Sequence, residues 1–526
     1  MKYFLLLFLF VPTALLAHVG SSGVVFEGNA GPYAVQVFVL PPDVIPGTAK
    51  VTVLVGAPGL HTISLKPVYF FAGDKGSPKA DPALPIPGEA GRYEGTIWFM
   101  EDGSASVSVS IDGPQGKGSV IVPVAAVSTA TRTMPYVTGW VLAGLGVLLV
   151  GLMTTLFGAS LSDSLLQPGA QGTSGTRRRR AAGSAIGATL CIGLVFIGHN
   201  WWGSWANEYR RHLYKPYKAT TKVSMRNGNP YLQLEIDSAS TKGRSLSYLV
   251  PDHGKLMHLF LLRQGTMDAF AHLHPERVDS LHFEAVLPKL PPGRYLVYAD
   301  MLRLQGLAYT VTDTLEIPAL PAAEPGAGDP EDTYAVTSAI HQNRALVKDQ
   351  AITVCGKPGV KIQLQDGSTI IWEATGPLQA GKPYSLNFSV LTPDGKPAVL
   401  QPYLGMSGHA AVFKDDGSVY IHLHPTGTFS TASQQILENR MAEKTTFPAK
   451  MPTPAAFRDS IDRAMARYRN LPEAQRDSLL MPGMTHPHKN HLSIPYAFPT
   501  PGNYRLWLQV KREGKVLTGV FDAEVK

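Results

Sequence analysis

At 526 residues the chain is too long for one core, and roughly three or four domains is the expectation. Charged residues make up 17% against 44% hydrophobic, lean in charge for a soluble enzyme and suggestive of membrane segments. The formal net charge is +7, but Arg177–Arg180 form one run beside an apolar stretch, a topology signal, and no aromatic-interleaved basic stripe exists; nucleic acid is not an expected partner.

Residues 1–17 read as a secretory signal peptide, "MKYFLLLFLFVPTALLA", with cleavage after Ala17. Residues 18–133 alternate short β-rich runs with Pro/Gly turns, the texture of a small exported β-sandwich. Two uncharged stretches, 136–158 and 181–203, are long enough to cross a bilayer, with Trp201, Trp202 and Trp205 as an interfacial belt. A cleaved signal exports the first domain, so residues 159–180 become a cytoplasmic loop. Both large β-rich parts then lie outside the cytoplasmic membrane. "GSAIG" at 183–187 is a small-xxx-small pattern that suits helix packing. Cys191 and Cys355 fall in different segments, and no disulfide is expected.

After residue 218 the β texture returns twice: "TKVSMRNGNPYLQLEI" (221–236) and "VKIQLQDGSTIIWEA" (360–374) both read as hairpins, and "PPGRYLVYADM" (291–301) matches "TPGNYRLWLQV" (500–510). The expectation is a duplicated β-sandwich, repeat 1 over 219–318 and repeat 2 over 334–526, joined by the linker 319–332. Repeat 2 carries an insertion, 430–490, with a helix from Pro454 capped by Thr453 and a packing stripe of Phe457, Ile461, Met465 and Tyr468. The fold class is therefore mainly β: several immunoglobulin-like β-sandwiches, two transmembrane helices and a small helical insertion.

Each repeat contains His-Leu-His-Pro, "AHLHPE" at 271–276 and "IHLHPT" at 421–426. Strand side chains alternate, so both histidines of each motif leave one face. In repeat 2 a type I′ turn at Asp416-Gly417 puts His409 opposite His424 and Ala411 opposite His422, with Ala410, Val412, Val419, Ile421 and Leu423 as the core face. In repeat 1 a three-residue loop would put His258 opposite His272 and beside His274, with Met257, Leu259, Leu261, Ala271 and Leu273 as core. Each repeat is then expected to build its own three-histidine site, the second being the better one because Ala411 leaves space where repeat 1 has Phe260.

Three neutral imidazoles suit copper, with zinc as the alternative. The other reading of these faces is two layers of hydrogen-bonded structural histidines. "MPGMTHPHKNH", with Met481, Met484, His486, His488 and His491, could add a thioether to the second face. Cleavage after Ala17 would also leave His18 at the amino terminus, offering an α-amine and a ring nitrogen, with His61 as partner. "GMSGH" at 405–409 lacks the final Gly of a nucleophile elbow, phosphate-loop and dinucleotide motifs are absent, and no enzyme activity is expected.

The motifs "AHVGSSGVVFEGNAGPY", "PPDVIPG", "PDHGKLMHLFLLR", "YLGMSGHAAVFKDDGSVYIHLHP" and "PGNYRLWLQVKREGKVLTGVFDAEV" span nearly the whole chain. In these the chain resembles bacterial membrane proteins whose exported β-domains look like the YtkA-like group, itself similar to the small periplasmic copper-binding proteins of copper-resistance systems. The resemblance implies an envelope protein linked to copper or heavy-metal handling, and the signal peptide with the two apolar spans makes it a two-pass protein of the inner membrane. It implies His258, His272, His274, His409, His422 and His424 as ligands, with the bilayer and other envelope metal-handling proteins as partners. Residues 18–133 do not carry the complete histidine pattern of those copper proteins, so His18 and His61 stand apart. The competing function is a structural or interaction scaffold of the envelope with no metal.

Overall fold

The computed structural model describes residues 18–526 except 20–22, 57–58, 60–61, 165, 168, 342–352, 374–375, 443–450 and 481–489. The described chain is mainly β with five α-helices, and it divides into two units, one of residues 127–215 and one of everything else.

The smaller unit holds two apolar helices, α1 (Tyr136–Asp163) and α2 (Ser174–His212), each long enough to cross a membrane. Gly183 and Gly187, the ends of the small-xxx-small pattern, are buried against Phe157 and Gly158, so the pattern packs the two helices together. Arg177–Arg180 do not lie in a loop as the charge pattern suggests. They are helical, inside the first turns of α2, where Thr173 caps the helix and Arg180 pairs with Asp163 at 3.0 Å.

The larger unit contains three β-domains. In the first, eight strands between Val24 and Ala126 close over a Val- and Ile-rich core. Its strand pattern is alternately buried, as in Tyr33–Leu40 and Gly47–Val55. In repeat 1, one sheet is built from Ala219–Arg226, Asn229–Ile236, His282–Val286 and Glu276–Arg277. The other orders Leu249–Val250, Gly293–Arg303, His258–Arg263, Ala269–Leu273 and Thr333–Val336, with Ala308–Ile317 also on Gly293–Arg303. Repeat 2 has the matching pair: Lys361–Gln363, Thr369–Trp372, Pro383–Leu391 and His491–Ala497 form one sheet, and Val419–Leu423, His409–Lys414, Gly502–Arg512 and Lys515–Val525 the centre of the other.

Several sequence expectations change. By sheet position Asn229–Ile236 corresponds to Pro383–Leu391, since each lies between an earlier hairpin strand and the strand that follows the histidine hairpin. The 360–374 hairpin is therefore not the partner of the whole 221–236 hairpin. The segment expected as a linker docks on repeat 1 instead: Lys255 reaches Asp329 at 2.6 Å and Glu331 at 2.9 Å, and Thr333–Val336 pairs with Ala269–Leu273. Repeat 2 thus does not begin at residue 334 in structural terms. The insertion forms α3 (Thr431–Ala442), α4 (Pro454–Arg469) and α5 (Glu473–Leu480), and Thr453 caps α4 as expected. Phe457 of the α4 stripe packs on Tyr248 at 5.3 Å.

The faces expected to be polar are apolar at one end. Phe260, Leu262, Phe270 and Tyr298 of repeat 1 lie on the histidine face, as do Ala411, Phe413, Tyr420 and Trp507 of repeat 2. These two strips pack against each other in one buried cluster, with Phe270 stacked on Trp507 at 4.8 Å and Tyr298 on Tyr420 at 4.2 Å. Arg505 is wholly buried there; it pairs with Asp522 and donates across to the Met267 and Ser338 carbonyls at 2.7 and 2.8 Å. Each sandwich therefore has its own core, and a second core joins the two. Phe260 sits at the inner end of that second core, 1% exposed. Truncating it leaves a cavity between the repeats, so Phe260→Ala is expected to lower unfolding free energy by about 3–5 kcal/mol in urea denaturation. A loss below about 1 kcal/mol would show that the repeats are not joined through this core.

A seven-histidine chamber between the repeats

The repeat 2 hairpin has the expected register, Ala410 opposite Leu423 and Ala411 opposite His422, although Asp416 keeps negative φ and the turn is not type I′. In repeat 1 the register differs: Leu259 pairs with Leu273 and Phe260 with His272, so His258 falls level with His274 rather than His272. The loop is longer than expected because Gly265 and Met267 both take positive φ, and Asp268 is drawn inward to hydrogen-bond Thr266 and pair with Arg263. The slip is an even number of residues, so every side chain keeps its face.

His258, His272, His274, His409, His422 and His424 are all 9% exposed or less. They do not form two separate, water-facing sites. Because the aromatic strips dock, the two histidine faces close on each other: the His258 and His422 rings are 5.2 Å apart and His272 and His422 5.6 Å. A seventh ring, His253, enters from the turn before repeat 1's hairpin and lies 4.9 Å from His424 and 5.4 Å from His409. Sequence reasoning missed it. The signal was present: "PDHGKLMH" aligns with "PYLGMSGH", both turns have positive φ at the third residue (His253 49°, Leu404 50°) and a Gly next, and only repeat 1 puts a ligand there. His18 contributes backbone pairing with Val419, while its side chain and all of His61 lie outside the described residues. Met481, Met484, His486 and His488 also lie outside them; His491 is half-exposed, 3.6 Å from Glu373.

Backbone carbonyls fix which ring nitrogen carries the proton in two of the histidines. A carbonyl oxygen only accepts, so His258 Nε2 donates to Asp252 O at 3.2 Å and His424 Nδ1 to Phe429 O at 2.9 Å. His272 Nδ1 meets Gln509 Oε1 at 2.9 Å, a bond across the repeats. His274 Nδ1 meets Asp332 Oδ1 at 2.9 Å, and His253 Nε2 meets Thr431 Oγ1 of α3 at 2.8 Å. A neutral imidazole has one proton, so His258 Nδ1 is an acceptor, and it lies 3.1 Å from His272 Nε2, whose tautomer follows the orientation of the Gln509 amide. Nitrogen bonds of about 2.0–2.1 Å to one ion would set two ligands roughly 3–3.4 Å apart. Nε2 of His274, His422 and His424 and both nitrogens of His409 are buried with no hydrogen-bond partner.

Leaving such groups dry and unpaired costs about 1–3 kcal/mol each, so the donor set fits a metal and fits an empty protein interior poorly. Carbonyl, carboxylate and amide groups that orient ring nitrogens from behind are the usual support of metal-binding histidines. Two sets have ligand nitrogens all within 4.8 Å of one another, His258/His272/His274 and His253/His409/His424. His274 is also grouped with Asp329 and Asp332. It lies on the wall of a cleft of about 460 Å³ that Lys255, Asp329, Asp332, Tyr468 and Arg476 also line.

A family model described as a domain of unknown function (DUF8832) matches residues 216–319 and 363–462, each segment taking in one histidine hairpin. No curated protein matches the chain. Among solved structures the chain is similar to the tetra-tandem repeat in the extending region of a large adhesion protein, at 8% identity over 92% of this chain and 71% of that one, TM-score 0.14. It is similar also to SGBP-B from a complex xyloglucan utilization locus in Bacteroides uniformis, at 8% identity over 95% and 99% of the two chains, TM-score 0.16. Scores this low carry no argument about function.

Burial, and for most of these rings their imidazole neighbours, keep all seven histidines neutral. His253 and His274 are lowered to about 3 and His424 to about 4, while His258, His272, His409 and His422 lie well below the usual value. The unfolded chain therefore takes up protons first once pH falls below about 6.5, and the folded state loses stability from there down to the folded pKa values. Burial acts oppositely on Asp300, raised to about 6, and on Asp332, raised well above the ordinary carboxyl value, and these two offset part of the loss. Among the described residues, Asp252, Lys255, Asp329 and Glu331 are further charged groups beside these rings. The metal-free chain should show a urea midpoint that is flat above pH 7 and drops steadily from pH 6.5 to 5. Each histidine contributes up to roughly 1.4 kcal/mol per pH unit. A midpoint unchanged across that range would mean the imidazoles are hydrated.

Proposed function

We propose that this chain is a two-pass protein of the bacterial inner membrane that binds a transition-metal ion, copper first and zinc as the alternative, in the chamber between its two exported repeats. The observation that carries the reading is the convergence of two histidine triads amid buried ring nitrogens without partners, Nε2 of His274, His422 and His424 and both nitrogens of His409. A cation gives those nitrogens partners that no described group supplies. Imidazole donors without carboxylate or thiolate suit copper and zinc over magnesium or calcium. The role is binding rather than catalysis, in metal handling or resistance. Of the ligands first expected, the six hairpin histidines remain candidates and His253 joins them. The scaffold alternative draws on the same interface: Phe260 stacks on His272 at 4.2 Å, so these rings also pack as aromatic core.

Copper or zinc in excess should raise the melting temperature of the detergent-solubilised chain, by about 4 kcal/mol of added stability at a thousandfold excess over Kd. His424→Gln, which removes a ring nitrogen and keeps an amide near the Phe429 carbonyl, should reduce that increment. A chain that stays metal-free on desalting and melts at the same temperature with and without either ion would leave the scaffold reading standing. Orientation is checked separately: alkaline phosphatase fused after Lys526 should be active, and an inactive fusion would reverse the topology.

A further inference from the structure

We propose that the chamber holds two metal ions rather than one, each in its own histidine triad, and that the second triad is assembled across the repeats. This rests on the metal-binding reading above. The first triad is His258, His272 and His274, all from repeat 1; the second is His253 from repeat 1 with His409 and His424 from repeat 2.

Donor count makes the case against a single ion. A copper or zinc ion takes three or four imidazoles. One ion in the first triad, even with His422 added, would leave both nitrogens of His409 and Nε2 of His424 buried without partners. One ion in the second triad would leave Nε2 of His274 buried without a partner. Two ions satisfy both sets. His422 is then the seventh donor, its ring 5.2 Å from His258, 5.4 Å from His409 and 4.4 Å from His424, placed to serve either ion.

Charge favours a cation here. The carboxylates touching the histidines are Asp252 beside His253 at 3.3 Å, Asp300 3.8 Å from His422, and Asp332 on His274. Asp329 and Glu331 are already paired with Lys255. One lysine cannot neutralise two carboxylates, so this set carries more negative than positive charge and suits cations, without choosing between monovalent and divalent ones. Imidazole donors suit copper, so copper(I) is the probe, with silver(I) as a redox-inert stand-in.

Repeat 2 indicates how to remove the second site gently. Leu404 occupies the turn position equivalent to His253 with the same backbone angle, so His253→Leu places there a side chain that this turn already accommodates. The full chain in detergent is loaded anaerobically with excess copper(I), desalted and assayed for copper per chain, and the loading is repeated with silver(I). The unmodified chain should retain two equivalents. His253→Leu and His274→Gln should each retain one, and the double variant none. One equivalent in the unmodified chain, or loss of both in His253→Leu with an unchanged circular dichroism spectrum, overturns the two-ion centre while leaving metal binding intact. No retained copper overturns both. The stoichiometry of the unmodified chain decides the matter even if a variant misfolds.

Discussion

Seven imidazoles closed off from water, with too few acceptors and donors around them, are the constraint on which the rest of this architecture depends. Histidine is ordinarily tolerated inside a protein when both ring nitrogens find partners. Here the supporting partners are supplied from outside the chamber, by Asp252 O, Gln509, Asp332, Phe429 O and Thr431, and the inward nitrogens are left bare. The aromatic core beside the chamber supplies the burial energy that holds this unfavourable set together. Phe260 belongs to both, stacked on His272 and 4.9 Å from His422, in the same buried cluster as Ala411.

Duplication explains the symmetry of the site and its departures. Asp300 and Gln509 occupy equivalent positions beside the hairpins, and each reaches the other repeat's motif, Gln509 to His272 and Asp300 towards His422. His253 and Leu404 break the symmetry, so that repeat 1 lends a ligand to repeat 2. The amino-terminal domain is tied in as well. The chain leaving the second His-Leu-His-Pro pairs with strand Val24–Ala30 through Glu27 N to Thr426 O and Thr428 N to Val25 O, both 3.0 Å. Phe429, whose carbonyl orients His424, stacks on Phe26. A third domain thus helps to aim a ring in the second triad.

Much of this was legible in residues. Period-two alternation identified the strands, the His-Leu-His-Pro pair marked the duplication, and the apolar runs marked α1 and α2. The hairpin core faces emerged intact because an even register slip preserves faces. The meeting of the two histidine faces was not read, although its signal was there. "HLFLLR" and "DAFAHL" are apolar on both faces, the pattern of a strand buried on both sides, and Phe260, Leu262 and Phe270 should have weighed against a solvated histidine layer. What no local pattern carries is the docking itself. Gln509 reaching His272 and Thr431 reaching His253 depend on contacts between residues 237 and 178 positions apart.

The central claim is that this buried, neutral histidine set exists to hold metal. A crystal structure of the copper-loaded chain, with an anomalous difference map at the copper edge, tests it most directly. The account predicts anomalous peaks inside the chamber, bonded to ring nitrogens of His258, His272 and His274 and of His253, His409 and His424. Ordered waters on those nitrogens, with copper bound only elsewhere or not at all, would contradict it.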